Sequence, residues 1–219
     1  MFKAGMLALT VAGFWETIYM TLISSFLAYL AGLPLGMILV VTDNDGIYPM
    51  PWVQKILGGI INFIRSVPFL ILLVAIMPFT KKVVGTIIGP KAVIVGLFVA
   101  SAPFVARMVE SSLKEVEKGV IEAAQSMGAS PFQIMTKVLF SEALPSLLVG
   151  SAIAVTTILG YSAMAGFVGG GGLGAIAINY GYHRSQSEVM YVMVLLLVVI
   201  VQIMQEVGLR IAKRTDKRL

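Results

Sequence analysis

Long stretches without a formal charge constrain this chain more than any other feature. Residues 17–41 contain no charged side chain across 25 positions, and residues 143–182 contain none across 40. A run of about 20 apolar residues is enough for an α-helix to cross the hydrocarbon core of a bilayer. In lipid, only helices and closed barrels satisfy every backbone polar group. The chain is therefore predicted to be an all-α polytopic membrane protein.

The composition supports the same fold class. Of the 219 residues, 58% are hydrophobic and 12% are charged, whereas soluble domains are typically about 45–50% apolar and about 25% charged. The five transmembrane helices that we expect lie at about residues 17–41, 56–80, 87–109, 143–165 and 189–209. In the first of them, Ala28, Gly32 and Gly36 recur every fourth residue, which predicts close contact with a neighbouring helix.

The two ends of the chain are expected to lie outside the spans. Trp15 and Glu16 interrupt the first apolar run, so residues 1–16 are predicted to form an N-terminal interfacial segment rather than a cleaved signal peptide. Residues 17–212 are then predicted to form the transmembrane domain, and residues 213–219 a basic tail. With the N-terminus outside, 11 of the 16 Lys and Arg residues fall on inner segments. Because positive residues favour the inner side, the tail is predicted to be cytoplasmic.

A polar loop, about residues 113–145, separates the third and fourth apolar segments. Its pattern predicts two short helices. The first covers Gly119–Met127 and ends at Gly128, because glycine readily adopts the positive φ found just past a helix end. The second begins after Ser130, which is followed three residues later by Gln133, as in a capping box.

One face of the first short helix carries small and apolar side chains. Helical spacing brings together Val120, Ala123, Ala124 and Met127. Small side chains let another surface approach closely, which favours a docking site for a partner protein. The alternative interpretation is an ordinary cytoplasmic loop whose two amphipathic turns lie on the lipid surface.

A glycine-rich segment follows the fourth apolar segment. Six glycines lie between residues 166 and 174, and each costs about 1 kcal/mol in a helix interior relative to Ala. We therefore expect irregular backbone here, covered by protein or lining a cavity. The spacing Gly169-x-Gly171-x-x-Gly174 matches a dinucleotide fingerprint only formally, since no strand precedes it and no acidic residue follows at the right distance. No nucleotide site is expected in this chain.

The chain offers few groups suited to catalysis. It has no Cys and a single His, His183, which is predicted to be a surface residue of an outer loop. Asp43 and Asp45 lack the further oxygen ligands of a calcium loop. Arg65, the only charge in the second span, fits either a structural or a functional role. We expect neither an enzyme nor a metal protein, and no nucleic-acid partner, because the basic residues flank the spans.

The polar loop resembles a known motif. Glu122-Ala123-Ala124, followed after three residues by Gly128, is similar to the EAA loop of bacterial ABC importer permeases. A wider resemblance, to permease subunits of bacterial methionine ABC importers, covers about residues 15–212. Its most similar stretches are residues 62–69, 102–110 and 160–166. The chain departs from the family where the loop ends, since Leu144-Pro145 stands four residues later than the family's Leu-Pro pair.

This resemblance implies a type I ABC importer with a cytoplasmic coupling-helix loop in the bacterial inner (cytoplasmic) membrane. It implies a homodimer of five-helix subunits, two copies of a separate ATPase that would hold ATP and magnesium, and a methionine-binding lipoprotein outside. The solutes would be L-methionine and often D-methionine and related derivatives. No catalytic, cofactor or metal residue is implied in this chain. The loop residues to which the resemblance assigns contact with the ATPase are Glu122, Ala123, Ala124, Met127 and Gly128.

A gate is predicted just before the glycine-rich segment. In an alternating-access mechanism, it would lie where Tyr161, Ser162 and Met164 meet their two-fold copies, and Met is a soft side chain suited to a plug. Ordinary helix packing is the alternative for these three residues. Two rival functions stay open: a permease of the same class for a different amino acid or a small anion, and a passive channel or structural membrane protein that needs no ATPase.

Overall fold

The protein is all-helical over the residues that its structure, a computed structural model, describes, which are residues 4–215. No β-strand occurs in this range, so the predicted all-α fold class is confirmed. Ile134–Leu139 and Ala177–Tyr182 form π-helical segments, and Ala165–Val168 forms a 3₁₀ turn. The α-helices are α1 (Ala4–Val41), α2 (Pro51–Ser66), α3 (Phe69–Ala75), α4 (Met77–Val84), α5 (Pro90–Lys114), α6 (Lys118–Ser126), α7 (Pro131–Gln133), α8 (Phe140–Met164), α9 (Gly172–Ile176) and α10 (Ser187–Thr215).

The chain divides into two compact units. The first unit comprises Met1–Leu27, Val67–Ser101 and Val155–Gln205, and the second comprises Ala28–Ser66, Ala102–Ala154 and Glu206–Leu219, each described within residues 4–215. Helices α1, α5, α8 and α10 contribute residues to both units. The polar loop belongs to the second unit and the glycine-rich segment to the first.

In the second unit, the small-residue stripe of α1 packs against α5, as its spacing predicts. A Cβ atom added to Gly32 would lie 2.7 Å from Cγ1 of Val105, and one added to Gly36 would lie 2.6 Å from Cβ of Val109. Real Cβ atoms do not approach so closely, so glycine is required for this contact. Ala28, at the start of the stripe, is fully buried. Helices α1 and α5 are therefore in close backbone contact within this unit.

In the first unit, α9 and α10 form the main apolar core. Phe14 and Ile18 of α1 pack against it. Aliphatic side chains dominate the cluster. Outside lipid, burial of their apolar surface contributes most to packing, whereas within lipid their dispersion contacts and close fit contribute most. The buried members are Leu159, Leu173, Ile176, Ala177, Val189, Met193 and Ile200.

The second predicted span is not one helix. The helix α2 ends at Ser66, and α3 begins at Phe69 after Pro68, whose ψ of 136° is extended. Proline lacks an N–H donor and pushes the preceding residue, Val67, out of the helical region. The expectation of a continuous helix over residues 56–80 is therefore wrong.

The number of spans agrees with the expectation all the same. In the described part of the chain, four helical stretches are long and apolar enough to cross a membrane. A fifth span results if α2 and α3, which are separated by a sharp bend, are counted together. The other four predicted spans overlap α1, α5, α8 and α10.

The predicted boundaries of the N-terminal segment and of the basic tail do not coincide with helix ends. The junction of the N-terminal segment with the first span, at residues 16 and 17, lies inside the unbroken helix α1. The predicted basic tail begins within α10, which continues to Thr215. The last four residues of that tail, 216–219, and the first three of the N-terminal segment, 1–3, lie outside the described residues.

Candidate functional site

The first helix of the polar loop, α6, ends as its sequence predicts. Gly128 has a φ of +79°. Its N–H donates to the carbonyl oxygen of Gln125 (2.9 Å), and the N–H of Ala129 donates to that of Ala124 (3.1 Å). These two bonds form a Schellman motif, which satisfies carbonyl groups left free at the helix end. The expected positive φ at Gly128 is therefore confirmed.

The second helix of the polar loop starts at the predicted capping box. The backbone N–H of Gln133 donates to Oγ of Ser130 (3.3 Å), and Oε1 of Gln133 accepts from the N–H of Ser130 (2.8 Å). The chain then passes through the π-helical segment Ile134–Leu139 into α8. Pro145, expected to mark the start or a bend of the next helix, lies inside α8, which begins at Phe140. The predicted start of this span at Ala143 is thus three residues late.

The polar loop presents apolar side chains to its surroundings. Met127 is 88% exposed and Phe132 is 69% exposed, while α6 itself packs against the π-helical segment of the loop. Glu122 and Ala123 are also exposed and Ala124 is partly buried. Burying a side chain such as Met or Phe contributes about 1.5–3 kcal/mol. The two exposed side chains, here called the apolar tip, would each gain such a contribution if a partner covered them.

Phe132 was missed by the sequence analysis. It follows Pro131 in a mainly polar stretch, and an isolated aromatic residue in such a loop could have been taken as a signal. Together with the five predicted loop residues, it places the candidate docking surface on both short helices rather than on α6 alone.

A network of charged side chains, here called the α5 network, consists of Arg107, Glu110, Lys114 and Asp43. The side chain of Glu110 is 7% exposed, and it accepts hydrogen bonds from Nη1 of Arg107 (2.6 Å) and Nζ of Lys114 (2.9 Å). Nζ of Lys114 also lies 2.6 Å from Oδ2 of Asp43, in the loop between α1 and α2. Signs alternate along the network, so each buried charge has an opposite neighbour.

The same α1–α2 loop contacts the start of α6. Nζ of Lys118 donates to Oδ2 of Asp45 (3.2 Å). A cavity of about 620 Å³ lies beside this pair, and its lining includes Asp43, Ile121 and Glu122. Both loop aspartates thus pair with lysines.

The Asp43–Lys114 pair predicts a pH dependence of stability. The hydrogen bond from Lys114 is the main cause that lowers the pKa of Asp43 below its ordinary 3.8, against a smaller opposing effect of burial. Because the folded-state pKa is the lower one, the pair's contribution is fully present above the unfolded pKa and is lost as pH falls through the folded pKa. Partly exposed pairs are worth about 0.5–1 kcal/mol.

We therefore expect Asp43→Asn to lower the melting temperature in detergent by about 2 °C at neutral pH, and the difference from wild type to vanish on acidification below the folded-state pKa. Thermal unfolding followed across pH measures this. Asp45→Asn is the matched control, because the Asp45–Lys118 pair is 81% and 75% exposed and should contribute little. A difference for Asp43→Asn that stays constant down to the acid limit would contradict the prediction.

The glycine-rich segment folds into a glycine hairpin, residues 163–176, in which two backbone stretches touch. A Cβ atom added to Gly174 would overlap the carbonyl oxygen of Ala163, and one added to Gly166 would lie 2.5 Å from the carbonyl carbon of Gly174. Irregular backbone was expected over the whole segment, but α9 already begins at Gly172. Because glycine has no side chain, the two backbone stretches can pack closely enough for the chain to turn back and begin α9.

Side chains of α1 bind the glycine hairpin. Oε2 of Glu16 accepts a hydrogen bond from the N–H of Gly172 (2.7 Å), and Oγ1 of Thr17 accepts one from the N–H of Leu173 (2.9 Å). These N–H groups begin α9 and have no partner inside it. In the sequence, Glu16 only interrupts an apolar run, because its partner lies 156 residues away.

The three predicted gate residues occupy different environments in the first unit. The ring of Tyr161 stacks on Phe69, with 4.6 Å between centroids and 6° between planes. Ser162 is 1% exposed, and its Oγ donates to the carbonyl oxygen of Leu159 (2.7 Å). Met164 is 41% exposed. Met164 and part of Tyr161 are thus accessible to another surface, whereas Ser162 is turned into its own subunit.

Two other residues singled out from the sequence lie on the surface of the subunit. His183 is exposed and contacts the edge of Tyr182, as expected for a surface residue of a loop. Arg65 is exposed in the last turn of α2. Over residues 4–215, no group of three or more Asp, Glu, His or Cys residues is arranged to hold a metal ion.

A bundle of apolar helices with an exposed polar loop and a glycine hairpin is the architecture of a polytopic membrane protein. The sequence profile of one such family, the inner membrane component of binding-protein-dependent transport systems, matches residues 32–217. The chain belongs to this family. It is accordingly a multi-pass permease component of the inner membrane and not an enzyme.

Individual relatives agree with this assignment. The chain is 50% identical to a probable D-methionine transport system permease protein of Vibrio cholerae over 204 residues, which are 93% of this chain and 91% of the relative. It is 48% identical to the D-methionine transport system permease protein of Escherichia coli K12 over 161 residues, 74% of each chain.

Solved structures show the same fold. A chain of the MetNI methionine ABC transporter in an inward-facing conformation superposes with a TM-score of 0.97 at 45% identity, covering 99% of this chain and all of that one. A chain of an amino acid ABC transporter crystallised with histidines superposes with a TM-score of 0.79 at 20% identity, covering 95% of this chain and 94% of that one. The second match shows the fold alone, which is that of a type I ABC importer permease.

Proposed function

We propose that this chain is the transmembrane subunit of an ATP-driven importer of methionine, taking up L-methionine and also D-methionine and related derivatives. The observation that carries the proposal is the match to the methionine ABC transporter, with a TM-score of 0.97 at 45% identity over 99% of the chain. The relatives named as D-methionine permeases, at 43–50% identity over 93% of the chain, support the same solute.

The proposed assembly is a homodimer of this chain with two copies of an ABC ATPase and, outside the cell, a methionine-binding lipoprotein. A five-span subunit makes a thin wall, so a pathway is best enclosed by two copies about a two-fold axis. ATP and magnesium would be held by the ATPase, and this chain would contribute no cofactor ligand. Lipid and these proteins are the proposed surroundings, with no nucleic acid.

The polar loop is the proposed ATPase-coupling site. Its apolar tip, with Met127 at 88% exposure, supports contact with a protein surface rather than with water. The hydrogen-bonded caps at the end of α6 and the start of α7 support movement of the loop as one body. The coupling residues are Glu122, Ala123, Ala124, Met127 and Gly128, with Phe132 added from the structure.

The proposed orientation rests on charge. We place the N-terminus outside and the C-terminus in the cytoplasm, where ATP is available. The hydrogen bond between Lys118 and Asp45 supports a common side for the α1–α2 loop and the polar loop. Excess basic residues on these inner segments support the cytoplasmic side for both.

The proposed gate comprises Tyr161, Ser162 and Met164, at the start of the glycine hairpin. ATP-driven closure of the two ATPases would move the polar loops and open the pathway outward by alternating access. Exposure of Met164 and partial exposure of Tyr161 support contact with the two-fold copy. Ser162 would act from inside the subunit by holding the end of α8.

The experiment that tests the function is uptake of labelled L-methionine into proteoliposomes that contain this chain, its ATPase and its binding protein. We expect uptake only with ATP and with all three components, and competition by unlabelled D-methionine. Uptake of labelled histidine serves as the specificity control. ATP hydrolysis without methionine uptake would overturn the solute while keeping the importer class, and uptake that ignores ATP would favour a passive channel.

A further inference from the structure

The last two turns of α5 carry three charged side chains on one face, immediately before the polar loop. Arg107, Glu110 and Lys114 follow one another at helical spacings of three and four residues. Only three residues separate Lys114 from the start of α6 at Lys118. All of these residues, and all their partners, belong to the second unit. The α5 network is thus located where movement of α6 would enter the transmembrane helices.

Arg107 connects this network to α2. Its Nη2 donates to the carbonyl oxygen of Gly58 (3.1 Å) and to Oδ1 of Asn62 (3.0 Å), two groups one helical turn apart. Its Nη1 donates to Oε2 of Glu110 (2.6 Å). The guanidinium therefore donates to one turn of α2 through Nη2 and to Glu110 of α5 through Nη1. A fork of fixed geometry is a property of Arg that Lys does not share.

Gly58, the residue of α2 opposite Arg107, has no side chain that would obstruct these hydrogen bonds. A Cβ atom added to Gly58 would lie 3.1 Å from Nη2 of Arg107, so a larger residue would require the guanidinium to shift by a few tenths of an ångström. Gly58 is buried in α2, where glycine costs about 1 kcal/mol relative to Ala. The close contact with Arg107 favours glycine at this position, whereas helix propensity favours Ala.

The α1–α2 loop completes the connection. Asp43 pairs with Lys114 at the end of α5, and Asp45 pairs with Lys118 at the start of α6. Two adjacent polar contacts therefore join the loop to both sides of the α5–α6 junction. The Asp45–Lys118 pair is exposed and contributes little by itself, whereas the alternating charges of the α5 network join α5 to the α1–α2 loop and Arg107 extends them to neutral acceptors on α2.

We propose that Arg107 and Glu110 are positioning residues that clamp α2 to the end of α5, so that movement of α6 carries α2 with it. This proposal rests on the coupling role of the polar loop given under Proposed function. Along the chain, α2 leads through Pro68 to Phe69, the residue that stacks on Tyr161 of the proposed gate. Only Val67 and Pro68 therefore separate the end of α2 from the partner of a proposed gate residue along the chain.

The first test compares Arg107→Met with Arg210→Met. Arg210 is the matched control, because it pairs with Glu206 at i and i+4 on α10 and both side chains are exposed, at 72% and 58%. Uptake of labelled methionine and hydrolysis of ATP are measured in the reconstituted complex, and assembly is checked by gel filtration. We expect Arg107→Met to assemble, to hydrolyse ATP, and to lower uptake per ATP about tenfold, while Arg210→Met behaves as wild type.

A second pair of variants covers the case in which Arg107→Met fails to assemble. Asn62→Asp keeps an acceptor for Arg107, whereas Asn62→Leu removes it. We expect the Asp variant to retain coupling and the Leu variant to lose it by several-fold. Equal coupling in the two variants, or wild-type coupling in assembled Arg107→Met, would overturn the proposal.

A distance measurement separates this proposal from the choice of solute. The chain has no Cys, so Gly59→Cys on α2 and Gly119→Cys on α6 can be labelled selectively with spin probes. No atom lies within 4 Å of a Cβ at either glycine. We expect the distance between labels within a subunit to stay constant on addition of ATP, and to shift or broaden when Arg107→Met is also present.

If the distance responds identically with and without Arg107→Met, the clamp is refuted even where methionine uptake is normal. If wild type takes up no methionine but the distance behaves as expected, the proposed solute fails and the clamp stands. The two failures are therefore distinguishable.

Discussion

Replacing Gly128 with Leu is expected to uncouple ATP hydrolysis from methionine uptake, lowering uptake per ATP about tenfold or more, while the subunit still folds and assembles. Gly128 has a φ of +79°, where a residue with a Cβ pays about 1–2 kcal/mol. No atom lies within 4 Å of a Cβ at this position, so the cost falls on the backbone and not on the core. The local structure that is lost is the Schellman motif at the end of α6, which sets the direction of α6 relative to the chain that follows.

Uptake and hydrolysis in proteoliposomes measure this effect. Gly119→Ala is the matched control, because Gly119 lies in α6 with open space around it and without a positive φ, and Ala favours helix there. We expect that control to couple normally. Normal coupled uptake by Gly128→Leu would show that the end of α6 does not determine docking, and it would leave the lipid-surface interpretation of the polar loop in its place.

Replacing Gly174 with Val is expected to have the largest effect on the fold itself. The new side chain would overlap the backbone carbonyl oxygen of Ala163, which cannot swing aside as a flexible side chain would. Overpacking of this kind costs about 3 kcal/mol or more, which corresponds to a fall in melting temperature of at least about 6 °C for a chain of this length. The hydrogen bond from Gly172 to Glu16 would be lost with the hairpin.

Thermal unfolding in detergent, with the yield of the monodisperse complex, measures this effect. Gly59→Ala is the control, since a Cβ on Gly59 meets nothing within 4 Å and lies in a regular helix. It should leave the melting temperature unchanged or raise it slightly. A wild-type melting temperature for Gly174→Val would mean that the two stretches of the hairpin can separate at no cost, and would remove the reason for glycine at this position.

The two substitutions are expected to affect different properties of the protein, transport in one case and stability in the other. Gly128 controls the direction of a short exposed helix, so its replacement is expected to affect function more than stability. Gly174 lies where two backbones touch, so its replacement is expected to affect stability first. The distinction rests on what surrounds each glycine, which is open space in one case and a carbonyl oxygen in the other.

The sequence alone determined the features of this protein that depend on short stretches of chain. Uncharged runs longer than a bilayer is thick predicted the all-helical membrane fold. The capping box at Ser130 and the positive φ at Gly128 were also predictable, because a cap involves residues only three to five positions apart. The EAA motif belongs to the same class of signal, and the family match agrees with it.

Only the tertiary structure decided which distant residues meet. Pairing of Asp45 with Lys118 spans 73 residues, and that of Glu16 with Gly172 spans 156. In sequence, Glu16 interrupts an apolar run, but in the folded chain it caps α9. Propensity and spacing act within a few turns of helix, whereas the partner of a polar side chain in a membrane protein depends on how whole helices pack. The break at Pro68 depends on both local sequence and tertiary packing. Proline makes the break locally possible, and packing decides that the chain turns there.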